Sequence, residues 1–161
     1  MKVDRLIAET ALTFLDVETT GTSPRHGDRI IEIAMLQMRG NDVVGHVDAL
    51  VNPQRSLKFG AMQVNGITPE MVAGQPTFAE VLPEVQGLLE GAVVVGHNVR
   101  FDLNFLQAEY EIAGVPFPSV TALDTLPIAR KCYDFPSNSL EQIADCLGIV
   151  GDQFHRAMSD V

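Results

Sequence analysis

The feature that most constrains this fold is a change of hydrophobic period near the middle of the chain. Before that point, residues 11–18, 29–39 and 43–51 form apolar stretches with the character of β-strands. Gly40-Asn41-Asp42 separates the last two and is a hairpin turn signal. Consecutive strands joined in this way predict an antiparallel three-strand meander.

The second half of the chain shows helical periods interrupted by short apolar runs at 93–96 and 120–123, which predict two further strands. Strands that alternate with helices indicate crossover connections and parallel pairing. We therefore predict an α/β fold with a mixed five-stranded sheet, the antiparallel meander plus two parallel strands, flanked by helices. Helices are predicted at 59–64, 68–73, Thr77 to about Glu90, about 98–113, 125–132 and 139–147.

Local signals set the ends and faces of these helices. Thr77 and Glu80 form a capping box, Asn98 is a plausible N-cap, and Gly114 is a C-terminal stop. In the helix after Asn98, an apolar stripe is predicted to face the core. Its members are Phe101, Phe105, Ala108 and Ile112.

Composition fits a single domain over residues 1–161, because 46% of residues are hydrophobic and 20% are charged. No apolar run is long enough for a membrane helix, and no membrane partner is expected. Cys132 and Cys146 lack histidines at metal-ligand spacing, which favours a reduced, cytoplasmic protein. The net charge of −10 predicts that any contact with nucleic acid is short and local.

Two carboxylates mark the end of the first strand. Asp16 and Glu18 share one face with Leu12 and Phe14, because side chains on a strand alternate. Paired carboxylate oxygens are the ligands that a hard divalent cation prefers. An isolated pair of this kind is nevertheless typical of a solvated strand end.

Two further elements carry acids beside histidines. Asp102 follows His97 at a strand-to-helix junction, the edge where open α/β sheets place ligands. Asp160 follows His155, which is suited to deprotonating a water molecule beside a bound metal. Each element alone has an ordinary structural explanation, but together they lie at the ends of elements that one cleft can gather.

These motifs resemble the DEDDh 3′→5′ exonucleases, the family of the epsilon proofreading subunit of bacterial DNA polymerase III. The likeness runs from about Ala11 onward. The segments that carry it are Phe14-Leu-Asp-Val-Glu-Thr-Thr-Gly21, Arg29-Ile-Ile-Glu-Ile-Ala34, Asn65-Gly-Ile-Thr68, His97-Asn-x-x-Phe-Asp102 and His155-Arg-Ala-x-x-Asp160.

The resemblance implies a ribonuclease H-like fold and a 3′→5′ exonuclease that releases nucleoside 5′-monophosphates by two-metal-ion hydrolysis. It assigns two Mg²⁺ or Mn²⁺ ions to Asp16, Glu18, Asp102 and Asp160, with Asp16 bridging both, and activation of the attacking water to His155. Four clustered carboxylates repel one another without metal, so we expect some of their pKa values to be raised. For substrate binding, the resemblance indicates Thr19, Thr20, Val64, Asn65, Ile67, Asn98 and Phe101.

Three further features concern how this chain compares with the family. Many relatives carry histidine where this chain has Asn65. Relatives also continue into a helix beyond the last aspartate, so we expect residues 1–161 to be a single exonuclease domain that lacks its final C-terminal helix. Glu32 is a fifth acid within an apolar strand, and we expect it to have a structural or cleft-side hydrogen-bond partner without binding metal.

The expected partner is the 3′ end of a single-stranded nucleic acid, with DNA proofreading or repair favoured and a DNA polymerase subunit as a possible associate. RNA 3′-end trimming and a catalytically weak nucleic-acid-binding module of the same fold are the alternatives. A dinucleotide-binding oxidoreductase is excluded, because no G-x-G-x-x-G follows the first strand.

Overall fold

A computed structural model describes residues 6–149 and 156–161. Five strands and seven helices are present in these residues. The strands are β1 (Ala11–Thr19), β2 (Ile30–Arg39), β3 (Asp42–Leu50), β4 (Val93–Gly96) and β5 (Thr121–Asp124). The helices are α1 (Phe59–Asn65), α2 (Pro69–Ala73), α3 (Phe78–Leu89), α4 (Arg100–Ala113), α5 (Thr125–Cys132), α6 (Leu140–Leu147) and α7 (Ala157–Asp160), with short 3₁₀ turns at Ile7–Glu9 and Pro24–His26.

The strands form one mixed sheet in the order β3-β2-β1-β4-β5. β1 pairs antiparallel with β2, and β2 pairs antiparallel with β3. β1 and β4 are parallel, as are β4 and β5. The prediction of an antiparallel meander extended by two parallel strands is therefore confirmed.

The alternation in β1 separates a core face from a site face. Thr13, Leu15 and Val17 are buried, whereas Asp16 and Glu18 between and beyond them are half-exposed. The buried face packs under α3 and α4, whose core residues include Val85 and Phe105. β1 thus carries its two acids away from the main core and toward the end of the sheet.

The predicted capping box opens α3. The carboxylate of Glu80 accepts hydrogen bonds from the backbone amide of Thr77 at 2.7 Å and from its hydroxyl at 2.8 Å. This arrangement satisfies an amide that would otherwise be left free at the start of the helix. At the end of α4, Gly114 adopts a left-handed conformation with φ of 70°, which confirms the predicted stop.

The prediction for the start of α4 was wrong. Val99, and not Asn98, occupies the N-cap, and Asn98 has a positive φ of 65°. The carboxylate of Asp124 accepts a hydrogen bond from the backbone amide of Asn98 at 2.9 Å, so β5 holds the turn between β4 and α4.

The predicted apolar face of α4 was also wrong in part. Phe105 is buried as expected, but Phe101 is half-buried and Ile112 is 60% exposed. The face that enters the core includes two acids, and its buried residues are Asp102, Phe105, Leu106, Glu109 and Tyr110. Apolar periodicity missed this face because two of its members are charged.

Within the described part of the chain, no helix is long and apolar enough to cross a membrane.

Candidate metal centre and nucleotide cleft

Three carboxylates converge where β1 and α7 meet. Asp16 and Glu18 project from β1, and Asp160 comes from the last residue of α7. Each offers an oxygen such that all three ligand atoms lie within 4.8 Å of one another, and each residue is half-buried. Carboxylate oxygens at such separations are the donor set that Mg²⁺ and Mn²⁺ prefer.

Asp102 lies beside this group without joining the three closest ligands. It is buried, and its Oδ1 accepts a hydrogen bond from the backbone amide of Val17 at 3.1 Å. This bond joins the first turn of α4 to β1 at Val17, the residue between Asp16 and Glu18. Burial and the nearby charges of Asp16 and Glu18 raise the pKa of Asp102 well above its ordinary value.

Burial and mutual repulsion raise the pKa values of the strand carboxylates as well. The pKa of Asp16 rises to about 7, first through burial and then through the charges of Asp160 and Glu32. Burial and the charge of Asp16 raise the pKa of Glu18 to about 8, although a hydrogen bond from Asn65 lowers it in part. The expected rise in pKa from clustered carboxylates is confirmed, and nearby positive charge would relieve it.

Glu32 anchors the element that carries Asp160. Its carboxylate accepts hydrogen bonds from Nε and Nη2 of Arg156, the latter at 2.6 Å, and from the backbone amide of Ala157 at 3.0 Å. Glu32 is 3% exposed, so its carboxylate is held out of water, whereas the side chain of Arg156 is 36% exposed. The expectation of a structural partner for Glu32 is confirmed, and the partner is the first turn of α7.

The predicted base, His155, lies outside the described residues. Its neighbour Arg156 is described and is held by the ion pair with Glu32.

A cleft of about 480 Å³ opens beside Glu18, between the segment after β1 and the helix α1. Its walls are mostly apolar, and the polar groups that line it include the carboxylate of Glu18, threonine hydroxyls, Asn65 and the ammonium group of Lys58. Five of the seven predicted substrate-binding residues line it, namely Thr19, Thr20, Val64, Asn65 and Phe101.

The other two predicted substrate-binding residues lie elsewhere. Ile67 is fully buried against Ile31 and Val72, and its amide donates to Oδ1 of Asn65 at 3.1 Å. It therefore supports Asn65 from behind and does not line the cleft. Asn98 is exposed in the turn before α4, where the carboxylate of Asp124 accepts a hydrogen bond from its backbone amide, and it does not line the cleft.

A buried acid that the sequence did not single out joins the two walls of the cleft. Asp28 is 4% exposed and forms ion pairs with Lys58 at 2.6 Å and Arg55 at 3.6 Å. Its carboxylate also accepts from the amide of Ser23 at 3.2 Å. Gly21 packs so closely that an added Cβ would lie 2.4 Å from Oδ2 of Asp28. In the sequence, the available indication of this contact was Gly21 in the turn after β1, with the acid Asp28 shortly after it.

A second unforeseen pair lies beneath the same turn. Arg29 donates from Nε and Nη2 to the two carboxylate oxygens of Glu109, at 2.8 and 2.7 Å. The amide of Ile30 donates to the same carboxylate at 3.1 Å. The backbone amide of Arg29 donates in turn to the hydroxyl of Thr20 at 3.0 Å, so the pair reaches the cleft wall. The spacing of Glu109 from Asp102, two helical turns, was the signal for a shared face.

A mixed sheet in this order, with an acidic cluster at the end of its central strand, defines the ribonuclease H-like nuclease fold. The chain belongs to the exonuclease family, because the Exonuclease (RNase_T) family pattern matches residues 13–161. Both the predicted fold and the predicted family are confirmed.

Among curated relatives, the 3′-5′ exonuclease DinG of Bacillus subtilis is 37% identical over 147 residues, which are 91% of this chain and 16% of DinG. The PolC-type DNA polymerase III of Thermotoga maritima is 33% identical over 158 residues, which are 98% of this chain and 11% of the polymerase. The chain therefore spans less than a fifth of the length of these relatives.

Solved structures agree on the fold. The zinc-bound complex of E. coli ExoI with single-stranded DNA superposes with a TM-score of 0.84 at 24% identity, over 94% of this chain and 38% of ExoI. Exonuclease X in complex with 5′-overhanging duplex DNA superposes with a TM-score of 0.72 at 24% identity, over 92% of this chain and 83% of that protein.

Proposed function

We propose that this domain hydrolyses the terminal phosphodiester at the 3′ end of a single-stranded nucleic acid and releases nucleoside 5′-monophosphates. The observation that carries the proposal is the convergence of Asp16, Glu18 and Asp160 within 4.8 Å beside a cleft of about 480 Å³. That volume lies in the range of sites that bury a small organic group, such as one nucleotide.

The carboxylates fit divalent metal ions. Asp16, Glu18 and Asp160 offer hard oxygen ligands, and Asp102 adds a fourth acid, buried against β1. These four residues would hold two Mg²⁺ or Mn²⁺ ions. Such ions would stabilise the attacking and leaving oxygens of an in-line displacement at phosphorus. Burial and then the neighbouring carboxylates raise the pKa values of Asp16 and Glu18, which supports this assignment, since a bound cation would stabilise the charged form of both groups.

We assign the general base to His155. It would take the proton of the attacking water as the bond from water oxygen to phosphorus forms and the bond from phosphorus to the 3′ oxygen breaks. The departing 3′ oxygen takes up a proton and becomes the new terminal hydroxyl. The hydrogen bonds that Arg156 and the amide of Ala157 donate to Glu32 support this role, because they anchor Arg156 and Ala157, which follow His155 in the chain, beside the carboxylates.

In this proposal the cleft holds the terminal nucleotide. Thr19 and Thr20 would contact its sugar, and Val64 and Phe101 would pack against its base. Asn65 is buried and hydrogen-bonded to both Glu18 and the amide of Ile67, so it would orient Glu18 where many relatives use histidine.

DNA is the favoured substrate, because the relatives DinG and PolC are named as a 3′-5′ exonuclease and a DNA polymerase. Proofreading or repair, association with a polymerase subunit, and a cytoplasmic location follow as parts of the same proposal. RNA trimming is the second candidate, since recognition of a 2′-hydroxyl would use the same cleft. A weak binding module of the same fold is the third.

The test is release of mononucleotides from a single strand labelled throughout, with DNA and RNA in parallel and with Mg²⁺, Mn²⁺ or chelator. Asp16→Ala should abolish release, whereas Glu84→Ala, which removes an exposed acid on α3 outside the cleft, should leave it unchanged. Faster release from DNA would support the favoured substrate, and faster release from RNA would support trimming. Binding without release in any metal would support the module.

A further inference from the structure

A second groove adjoins the nucleotide cleft and differs from it in chemistry. It has a volume of about 510 Å³ and lies between the turn after β1 and the outer face of α4. Thr22 lines both the cleft and the groove, so the two are contiguous. The other residues that line the groove are Ser23, Pro24, Arg25, Arg100, Asn104, Gln107, Ala108 and Glu111.

The groove concentrates positive charge on an acidic chain. Arg25 and Arg100 face a single acid, Glu111, whereas the whole chain has 11 basic and 21 acidic residues. Neither arginine forms an ion pair with any of the residues at 6–149 or 156–161. Arg29, Arg55, Lys58 and Arg156, in contrast, are paired with carboxylates. Because no described carboxylate pairs with them, these two guanidinium groups are available to an outside anion.

The donors of the groove are arranged along α4. Arg100, Asn104 and Gln107 recur at helical spacing and therefore share one face. From Arg100 to Gln107 the helix rises about 10 Å, at about 1.5 Å per residue. Asn104 and Gln107 are exposed amides that can donate to phosphate oxygens or to base edges.

The start of α4 sits at the junction of both sites. Arg100 lines the groove, Phe101 lines the cleft, and Asp102 lies against β1 beside the acidic cluster. A strand whose terminal nucleotide occupied the cleft would have its scissile phosphate near Asp102. Its preceding phosphates would then lie within reach of the arginine on the neighbouring position of the helix.

We propose that this groove binds the sugar-phosphate backbone of the nucleotides that precede the 3′ terminus, with Arg25 and Arg100 as phosphate contacts. This inference rests on the proposed function for the placement of the terminal nucleotide. It makes the site longer than one nucleotide, yet confines the contact to a short path, as a chain with a charge of −10 requires.

The test measures binding, so that it does not depend on turnover. In an Asp16→Asn background, fluorescence anisotropy gives the dissociation constants of a thymidine dinucleotide and octanucleotide, both labelled at the 5′ end, across a series of salt concentrations. The variant Arg25→Gln/Arg100→Gln is compared with Arg39→Gln/Arg130→Gln. Both control arginines are exposed and lie outside the groove, and both double variants change the net charge by the same amount.

The groove variant should bind the octanucleotide about tenfold more weakly at low salt, and the slope of log K against log salt should fall by about 1.4, or about 0.7 for each lost phosphate contact. The loss of affinity should be smaller for the dinucleotide, and the control variant should bind both oligonucleotides as tightly as the parent. Equal weakening in both double variants, an unchanged salt slope, or failure of the parent to bind the octanucleotide would each overturn the proposal.

The two proposals can fail separately. If the unsubstituted chain releases no nucleotide but binds the octanucleotide through the two arginines, the groove stands and the exonuclease activity falls. If that chain releases nucleotides while the groove variant binds as tightly as the parent, the activity stands and the groove falls.

Discussion

Replacement of the buried residue Glu109 by glutamine should destabilise the fold. Glu109 is 2% exposed and Arg29 is 16% exposed at their side chains, so the charges are largely withdrawn from water. The carboxylate receives three hydrogen bonds, two from the guanidinium group and one from the amide of Ile30. Glutamine has nearly the same shape, but it keeps only one acceptor oxygen and leaves the arginine without a counter-charge.

The magnitude follows from this geometry. Breaking a buried ion pair by removing one partner costs about 3–5 kcal/mol. Arg29 retains some contact with water and glutamine retains one acceptor, so we expect a loss of about 2–3 kcal/mol. For a domain of this size, each kcal/mol lowers Tm by about 2–4 °C, which gives a fall of about 4–12 °C.

Differential scanning fluorimetry and urea denaturation measure this loss, with Glu111→Gln as the matched control. Glu111 lies two residues further along α4, is exposed, and should change stability by less than about 0.5 kcal/mol. A double-mutant cycle with Arg29→Met should give a coupling free energy of at least about 1 kcal/mol. Equal Tm values for the Glu109 and Glu111 variants, or zero coupling, would refute the reasoning.

Three further predictions concern the acidic cluster and the elements that hold it. The pKa of Asp16 is raised to about 7 and that of Glu18 to about 8, so these two groups bind protons more tightly in the folded protein than in the unfolded chain. The contribution of these two groups to the stability of the metal-free protein should therefore be largest below their unfolded pKa values and be lost as pH rises through the folded ones. Added MgCl₂ should raise Tm more at about pH 8.5 than at about pH 6, and an equal rise would contradict the cluster as the metal site. Glu32→Gln should lower metal affinity or release rate by about 10–100-fold through looser support of α7, with Glu84→Gln unchanged. A normal rate in the Glu32 variant would remove its positioning role. Gly21→Ala should cost about 1–3 kcal/mol, because the new Cβ would collide with the carboxylate of Asp28. Gly87→Ala in α3, where a Cβ meets open space, should instead stabilise by up to about 1 kcal/mol in urea denaturation. Similar effects at both glycines would contradict the contact.

Local patterns were sufficient for most elements of the fold. The alternation in β1 and the Gly40-Asn41-Asp42 turn placed the meander, and the capping box placed the start of α3, because these signals depend on residues close in sequence. The strand 93–96 was predicted with the bounds that the structure shows. The two acids on one face of β1 followed from the same two-residue period.

Local patterns failed where a charged residue is buried or where the chain turns at a junction. Local patterns predict that Glu109 lies at the surface. In the structure it is buried, and Arg29, 80 positions away in the chain, supplies its counter-charge. Asn98 has the chemistry of an N-cap, but the carboxylate of Asp124 draws its amide into a turn with positive φ. Ile67 lies within a family motif, yet its apolar side chain is buried behind the cleft.

The sequence by itself determined the order and type of the elements and the residues able to bind metal, because periodicity and functional groups are properties of short segments. Only the tertiary structure decided which of these groups meet. Asp160 reaches Asp16 because Glu32 anchors α7 through Arg156, and the walls of the cleft meet because Asp28 joins Lys58 to the turn at Gly21. These contacts connect residues far apart in the chain, and their free energy depends on removal from water, which becomes defined only when the sheet and helices have packed.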